Sequence, residues 1–194
     1  MDETKTGAAG IKFDADAAAC YGTNLSKTSN YVLNRHFTIA TSNNQDHTFN
    51  GVMFDVKCKA TTSFPLEFLI IRTLSVRGAL GPVTVWRTPG TFHGKHERPD
   101  EWTNIYRGVH PPSMREFQEL RLNQTIMLTP GESTGIYIHS ALQNDKGIVY
   151  DNKRGSQGSD KTLYISSAIA HTSCVPFSQH GYWGGGWAWR DRRQ

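Results

Sequence analysis

Two histidines and two carboxylates lie close together in one polar stretch, residues 91–100. His93 and His96 are three residues apart, with Glu97 and Asp100 just behind them. Imidazole and carboxylate groups are common ligands of transition metals, but a third ligand at a recognised spacing is missing and an H-x-x-H pair often arises by chance. We therefore expect a solvated loop, with no metal site and no cofactor, and keep a metal-dependent jelly-roll enzyme built on His93 and His96 as the alternative.

Motifs for covalent or phosphate chemistry are absent from the sequence. No G-x-S-x-G elbow, P-loop or G-x-G-x-x-G is present, and the acidic pairs Asp100/Glu101 and Glu116/Glu119 lack the strand-borne spacing of jelly-roll glycosidases. Distant residues can still converge in space, so a Ser-His-Asp triad is not ruled out by sequence. We assign no catalytic residue and predict that the protein is not an enzyme.

Aromatic residues are concentrated at the C-terminus. Trp183, Trp187 and Trp189 fall within seven residues around three consecutive glycines, and Arg190 follows them. Such a cluster either packs on a core, as a strand that closes the domain, or anchors a partner, because Trp and Arg are typical hot-spot residues. These four residues are predicted binding residues. Sugar stacking is an alternative, and base stacking is a weaker one.

A second group of aromatic residues flanks the polar loop. Trp86, Trp102 and Tyr106 lie on either side of residues 89–100. Exposed aromatics beside a loop at the end of a β-sandwich can form a platform for a carbohydrate or a peptide. We include these three residues among the predicted binding residues, although tryptophan more often packs than binds.

The elements that would position these residues read as short strands between turns. Residues 129–140 contain the turn dipeptide Pro130-Gly131 and then the alternating sequence I-Y-I-H, which indicates a strand with one buried face. Eight or nine such units recur, with a single helical turn at 113–119. The predicted strands are 31–40, 52–58, 66–76, 82–88, 101–107, 120–128, 134–140, 147–151 and 162–170. The pattern predicts an all-β fold, an antiparallel β-sandwich of jelly-roll type, with 120–128 and 134–140 as its central hairpin.

The domain organisation predicted from composition is a flexible arm at 1–30, a β-sandwich at 31–180 and a Gly/Trp/Arg tail at 181–194 that can complete the sandwich. Cys20, Cys58 and Cys174 are far apart and odd in number, which argues against a disulfide framework. Cys58 falls on the apolar side of the strand 52–58 and is expected to be a buried small hydrophobe.

Charge and hydropathy limit the partners and the location. The net charge of +4 sits largely in Arg190, Arg192 and Arg193, so no basic face for nucleic acid is expected. No run is long enough for a membrane span, and no secretory leader is visible. A cytoplasmic location is therefore expected.

The order of these features resembles PHR-type β-sandwich domains, which occur in some large ubiquitin-ligase and BTB proteins. The resemblance covers residues 52 to about 170: an apolar strand at 52–58, a tryptophan-bearing strand at 101–107, the L-x-P-G-like turn and strand at 128–139, and a late strand at 162–169. It implies a non-enzymatic interaction module and carries over no binding residue.

From sequence, then, we expect a non-catalytic protein-protein interaction module, engaged in partner or substrate recognition within a larger protein such as a ubiquitin-ligase component. A carbohydrate-binding sandwich and a self-assembling structural subunit are the alternatives.

Overall fold

The computed structural model describes residues 10–13, 37–40, 47–61, 64–71, 82–110, 118–141, 147–150, 158–159 and 161–184. These residues form β-strands and one 3-10 turn, Pro99–Glu101. The strands are β1 (Gly10–Phe13), β2 (Phe37–Ala40), β3 (His47–Phe49), β4 (Gly51–Cys58), β5 (Phe64–Ile71), β6 (Val83–Pro89), β7 (Thr103–Gly108), β8 (Gln118–Leu128), β9 (Ser133–Ser140), β10 (Ile148–Tyr150), β11 (Gly158–Ser159), β12 (Leu163–Ile165), β13 (Ile169–His171) and β14 (Tyr182–Gly184). The protein has an all-β fold, as the spacing of apolar residues and turns predicts.

Strand pairing is antiparallel throughout the described residues. The large sheet has the order β11-β12-β4-β9-β6-β7, and β13 pairs with the other half of the β4 edge that β12 occupies. β14 lies outside β13. A four-stranded sheet has the order β2-β1-β5-β8, and β3 and β10 form a separate ribbon.

The main core contains side chains from both the large sheet and β8 of the four-stranded sheet. In β4 the alternate residues Val52, Phe54, Val56 and Cys58 all belong to this core, because successive residues of a strand point to opposite faces. β8 contributes Leu120, Leu122, Ile126 and Leu128. Cys58 is buried, as the sequence predicts.

The predicted hairpin between residues 120–128 and 134–140 is wrong. Both strands exist, but β8 pairs with β5, whereas β9 pairs with β4 and β6 in the other sheet. The Pro130-Gly131 turn carries the chain from one sheet to the other: Gly131 has φ 79 and donates its N–H to the Cys58 carbonyl oxygen at 3.0 Å. A turn sequence specifies that the chain reverses, but burial of the apolar faces selects the strand partners.

Other predicted elements differ in detail. The expected strand 162–170 is two strands, because Ser166 interrupts it by bonding to the Asp55 backbone of β4 through both its N–H and its hydroxyl oxygen. The predicted N-terminal arm contains β1, which pairs with β2 and β5. Residues 14–36 and 111–117 lie outside the described residues, and so does most of the predicted helical turn 113–119, whose last two residues belong to β8. No described helix is long and apolar enough to cross a membrane.

Replacement of Ile136 by alanine tests the main core. Ile136 lies on β9 and has 0% exposure. Loss of its buried methyl and methylene groups is expected to lower the free energy of unfolding by about 2–5 kcal/mol in urea denaturation. Lys57→Ala, at an exposed position near the end of the paired strand β4, is the control and is expected to change stability by less than about 0.5 kcal/mol. An equal, small effect of both substitutions would contradict the core described above.

Candidate functional site

The large sheet has a second face, opposite the main core, that is also covered. Two cross-strand rows run along it. One row is Tyr182, His171, Gly51, His139 and Thr84, and the next is Ile169, Met53, Tyr137 and Trp86. In the described part of the chain, two loops cover it: the Phe92 loop (residues 90–102) and the Phe177 loop (residues 172–181). This face collects most of the buried aromatic and polar side chains.

An aromatic cluster fills the middle of the second face. Phe177 projects from its loop onto three aromatic rings, with centroid distances of 5.0 Å to Tyr137, 5.2 Å to Trp86 and 5.7 Å to Trp102. The contacts with Tyr137 and Trp86 are edge-to-face, a favoured arrangement for aromatic pairs. Phe177 takes φ 58, an uncommon value for a bulky residue, so tertiary contacts hold this backbone in place.

The Phe92 loop is fixed by one carboxylate and one glycine. The Asp55 side chain of β4 accepts hydrogen bonds from the Thr91 hydroxyl at 2.6 Å and the Phe92 N–H at 2.8 Å. A Cβ at Gly135 would lie 2.6 Å from Thr88 Cγ2 and 3.0 Å from the Phe92 nitrogen, so only glycine lets the loop approach this closely. In the sequence, this close approach of the Phe92 loop is therefore indicated by Gly135, a glycine inside a strand, and not by a motif in the loop.

A chain of hydrogen bonds runs through His171. The Tyr137 hydroxyl lies 2.6 Å from His171 Nδ1, and the Ser178 hydroxyl lies 2.8 Å from Nε2. Nε2 also faces the His180 carbonyl oxygen at 3.2 Å, and a carbonyl only accepts, so Nε2 carries the hydrogen. We therefore assign Tyr137 O–H as the donor to Nδ1 and Nε2–H as the donor to Ser178, whose hydroxyl donates onward to the His180 carbonyl at 3.1 Å.

His139 makes the second polar link between the sheet and the Phe177 loop. Its Nε2 donates to the Ser173 carbonyl oxygen at 3.0 Å. A Cβ at Gly51, between the two histidine-bearing strands, would lie 2.6 Å from Tyr137 Cε2 and 3.2 Å from His139 Cδ2. Glycine at position 51 thus provides the room in which the phenol and the imidazoles meet.

Burial keeps this network uncharged. Burial, together with the neighbouring His139, lowers the pKa of His171 to about 4. Burial also lowers the pKa of His139 and raises the pKa of Tyr137. At neutral pH both imidazoles are therefore unprotonated bases and the phenol keeps its hydrogen, which removes the cost of a buried charge.

The arrangement resembles a nucleophile and a base but lacks the required proton positions. Ser178 Oγ is within reach of His171, yet Nε2 already carries a hydrogen and cannot accept the one on the serine hydroxyl. The His171 network therefore binds the loop and does not activate Ser178.

His93 and His96 pack against different aromatic residues. His93 stacks on Phe92 at 4.1 Å, whereas His96 packs edge-on against Tyr182 at 4.9 Å. No group of three or more His, Cys, Asp or Glu side chains suited to a metal ion occurs among the described residues.

The four predicted binding residues that the structure describes do not form one surface. Trp102 is 6% exposed and donates its indole N–H to the Lys95 carbonyl oxygen, while Trp86 is half-buried and donates to Thr84. Tyr106 packs against the main core and bonds to His110. Only Trp183 is well exposed, at 64%. The remaining three predicted binding residues, Trp187, Trp189 and Arg190, lie outside the described residues.

Trp183 is exposed on a strand that is firmly attached. Its neighbour Tyr182 points to the second face, stacks on His171 at 4.3 Å with an interplanar angle of 8°, and donates its hydroxyl hydrogen to the His96 carbonyl at 2.8 Å. Trp183 points to the opposite side and lies beside Ala170 of β13. Within the described part of the chain, β14 pairs with no strand other than β13.

Sequence reasoning missed the histidine network for a specific reason. The alternation I-Y-I-H placed Tyr137 and His139 away from the main core, and such positions are usually solvated. The available signal was the third polar aromatic, His171, in a late strand of similar pattern, but pairing of β4 with both β9 and β13 is needed to bring these residues together.

No protein-family model matches the chain, and no curated protein or solved structure matches it significantly. The resemblance to PHR-type domains therefore stays a prediction.

Substitution of Tyr137 by phenylalanine tests the network. The change keeps the ring but removes the hydroxyl that bonds to His171 and to the Phe177 backbone. We expect the free energy of unfolding to fall by about 1–3 kcal/mol in urea denaturation, because buried partners are left without a hydrogen bond. Tyr106→Phe, which removes a half-buried hydroxyl bonded to His110, is the control and is expected to cost less. A loss at position 137 no larger than at position 106 would count against the network.

Proposed function

We propose that the protein is a non-catalytic interaction module that binds another protein at the outer edge of β14, with Trp183 as the anchor. This proposal rests on two adjacent residues of β14, one of which is fixed to the protein while the other is exposed. Tyr182 is fixed to the second face by stacking and by a hydrogen bond, while Trp183 is 64% exposed on the other side of the same strand. An exposed tryptophan on a strand already held in place loses little freedom on binding.

The backbone of β14 supports a defined binding mode. The Thr172 N–H donates to the Gly181 carbonyl, and hydrogen-bonded pairs alternate along an antiparallel ladder, so Trp183 also directs its backbone groups to β13. Tyr182 and Gly184 then direct theirs outward. An extended segment of a partner can add to this edge as a further strand, with a pocket for the Trp183 ring.

Other observations favour a protein partner over a carbohydrate. Trp86 and Trp102 contact Phe177, and both use their indole N–H internally, so they offer no open stacking face of the kind that a sugar platform requires. Recognition within a larger protein, such as a ubiquitin-ligase component, is the context that the PHR resemblance implies. The free thiols of Cys58 and Cys174 fit the reducing cytoplasm that we propose as the location.

Site-specific photo-crosslinking in cells tests the proposed edge. A benzophenone side chain at position 183 is expected to give adducts with a distinct protein, identified by mass spectrometry. The same group at position 127 is the control, since Met127 is 52% exposed but lies on β8 of the other sheet. Adducts of the protein with itself would favour a self-assembling subunit. Equal adducts from both positions would overturn the proposal.

Once a partner is identified, Trp183→Ala is expected to weaken its binding by at least about tenfold, with Met127→Ala close to wild type in a calorimetric titration. The two variants should unfold at nearly the same urea concentration as each other, since neither substituted side chain is buried. Unchanged affinity with Trp183→Ala would remove the tryptophan from the interface.

A further inference from the structure

The Phe177 loop is attached to the sheet partly through two titratable side chains. Two imidazoles bond to it: His139 to the Ser173 carbonyl, and His171 to Ser178 and the His180 carbonyl. Among the described residues, its other attachments include the Phe177 ring, the Tyr137 hydroxyl and the backbone bond between Thr172 and Gly181 at the base of the loop. Val175, Gln179 and His180 of the loop are exposed, and most of its other residues are half-buried.

We propose that the Phe177 loop is an acid-released latch: protonation of His171 and His139 places two positive charges 6.0 Å apart beneath residues 172–181 and removes the hydrogen bond that Tyr137 donates to His171, and the loop opens while the main core stays folded. The proposal goes beyond the proposed function and does not depend on it.

The hydrogen-bond directions explain why protonation releases the loop. His171 Nδ1 now accepts from Tyr137 O–H. A proton on Nδ1 turns this acceptor into a donor, so the two hydrogens oppose each other unless the phenol rotates. The Tyr137 oxygen also accepts from the Phe177 backbone, and its own hydrogen would lose the acceptor that it has now. Protonation of His171 therefore disturbs the hydrogen bond between the Phe177 backbone and the Tyr137 oxygen.

The surroundings of the two imidazoles provide no compensating charge. The groups facing them are Tyr137 on β9, Ser178 and the Ser173 and His180 carbonyls in the Phe177 loop, Tyr182 on β14 and His96 in the Phe92 loop. The two rings lie 6.0 Å apart, so two positive charges would repel. Glu97 is an acid close to this cluster: it raises the pKa of Tyr182, and its carboxylate lies 3.9 Å from His96 Nε2. Among the described residues, neither His139 nor His171 has an ion-pair partner.

The direction of the pH effect follows from burial. In the open loop the imidazoles are solvated and titrate near their ordinary pKa of about 6.5. In the closed loop both pKa values are lower, and that of His171 is about 4. The closed form is therefore fully favoured above pH 6.5 and loses its advantage as the pH falls toward 4, by up to about tenfold per pH unit for each imidazole.

Two features confine the opening to the loop. The main core lies on the other face of the sheet and contains no residue of the Phe177 loop. Phe177 also holds a positive φ that opening would relax, so the closed loop stores backbone strain. The second face can thus open without exposing Ile136 or Ile138.

Hydrogen exchange of the whole protein, followed by mass spectrometry at pH 7.5 and 4.5 and corrected for intrinsic exchange rates, tests the latch. Amides of residues 172–181 are expected to lose at least tenfold protection on acidification, while those of residues 120–128 keep theirs. Unchanged protection in the loop would overturn the proposal. Parallel loss in both segments would also overturn it, since it would indicate global acid unfolding.

Variants assign the effect to the two imidazoles. His171→Gln can still accept from Tyr137 and donate to Ser178 but does not titrate, so it should show a weaker pH dependence of loop exchange, and the double variant with His139→Gln almost none. His93→Gln, which changes an exposed histidine stacked on Phe92, should behave as the wild type. Full pH dependence in a folded double variant would refute the assignment. If the double variant does not fold, the single variant His139→Gln and the wild-type comparison still decide.

Discussion

β9 is the central strand of the large sheet, and its residues from Thr134 to Ser140 are buried on both faces. A strand buried on both sides needs a cover on each side, and the protein supplies two different ones. Strand β8 of the four-stranded sheet packs on the Ile136 and Ile138 side. On the Tyr137 and His139 side, the cover that the described residues provide consists of loops. The arrangement of the second face follows from this difference between a strand cover on one side and a loop cover on the other.

Loops bring polar backbone with them, and polar groups in a buried face are generally hydrogen-bonded. Tyr137, His139 and His171 bond to one another or to the Phe177 loop without charge, because burial keeps the imidazoles neutral and the phenol protonated. Gly51 and Gly135 make this possible, since a Cβ at either position would collide with the network or with the Phe92 loop. The uncharged hydrogen bonds and the two glycines together allow loops to cover this face.

The same network reaches the surface through β14. Tyr182 stacks on His171 and so completes the second face, and the alternation of the strand then turns Trp183 outward. Because the attachment and the exposed ring are adjacent residues, the proposed binding edge is connected to the acid-sensitive cluster by a single peptide unit. The surface on which we place the partner is therefore held by the residues that the latch would alter.

Local sequence was enough to determine the β class, most strand positions and the buried face of β4, because period-two alternation and Pro/Gly turns act over a few residues. It also indicated that Cys58 is buried. It did not determine that β8 and β9 lie in different sheets, or that Trp102 is buried under Phe177. Nor did it bring Tyr137, His139 and His171 together. Those outcomes depend on pairing between residues 47 to 120 positions apart, and only the tertiary structure fixes which apolar faces meet.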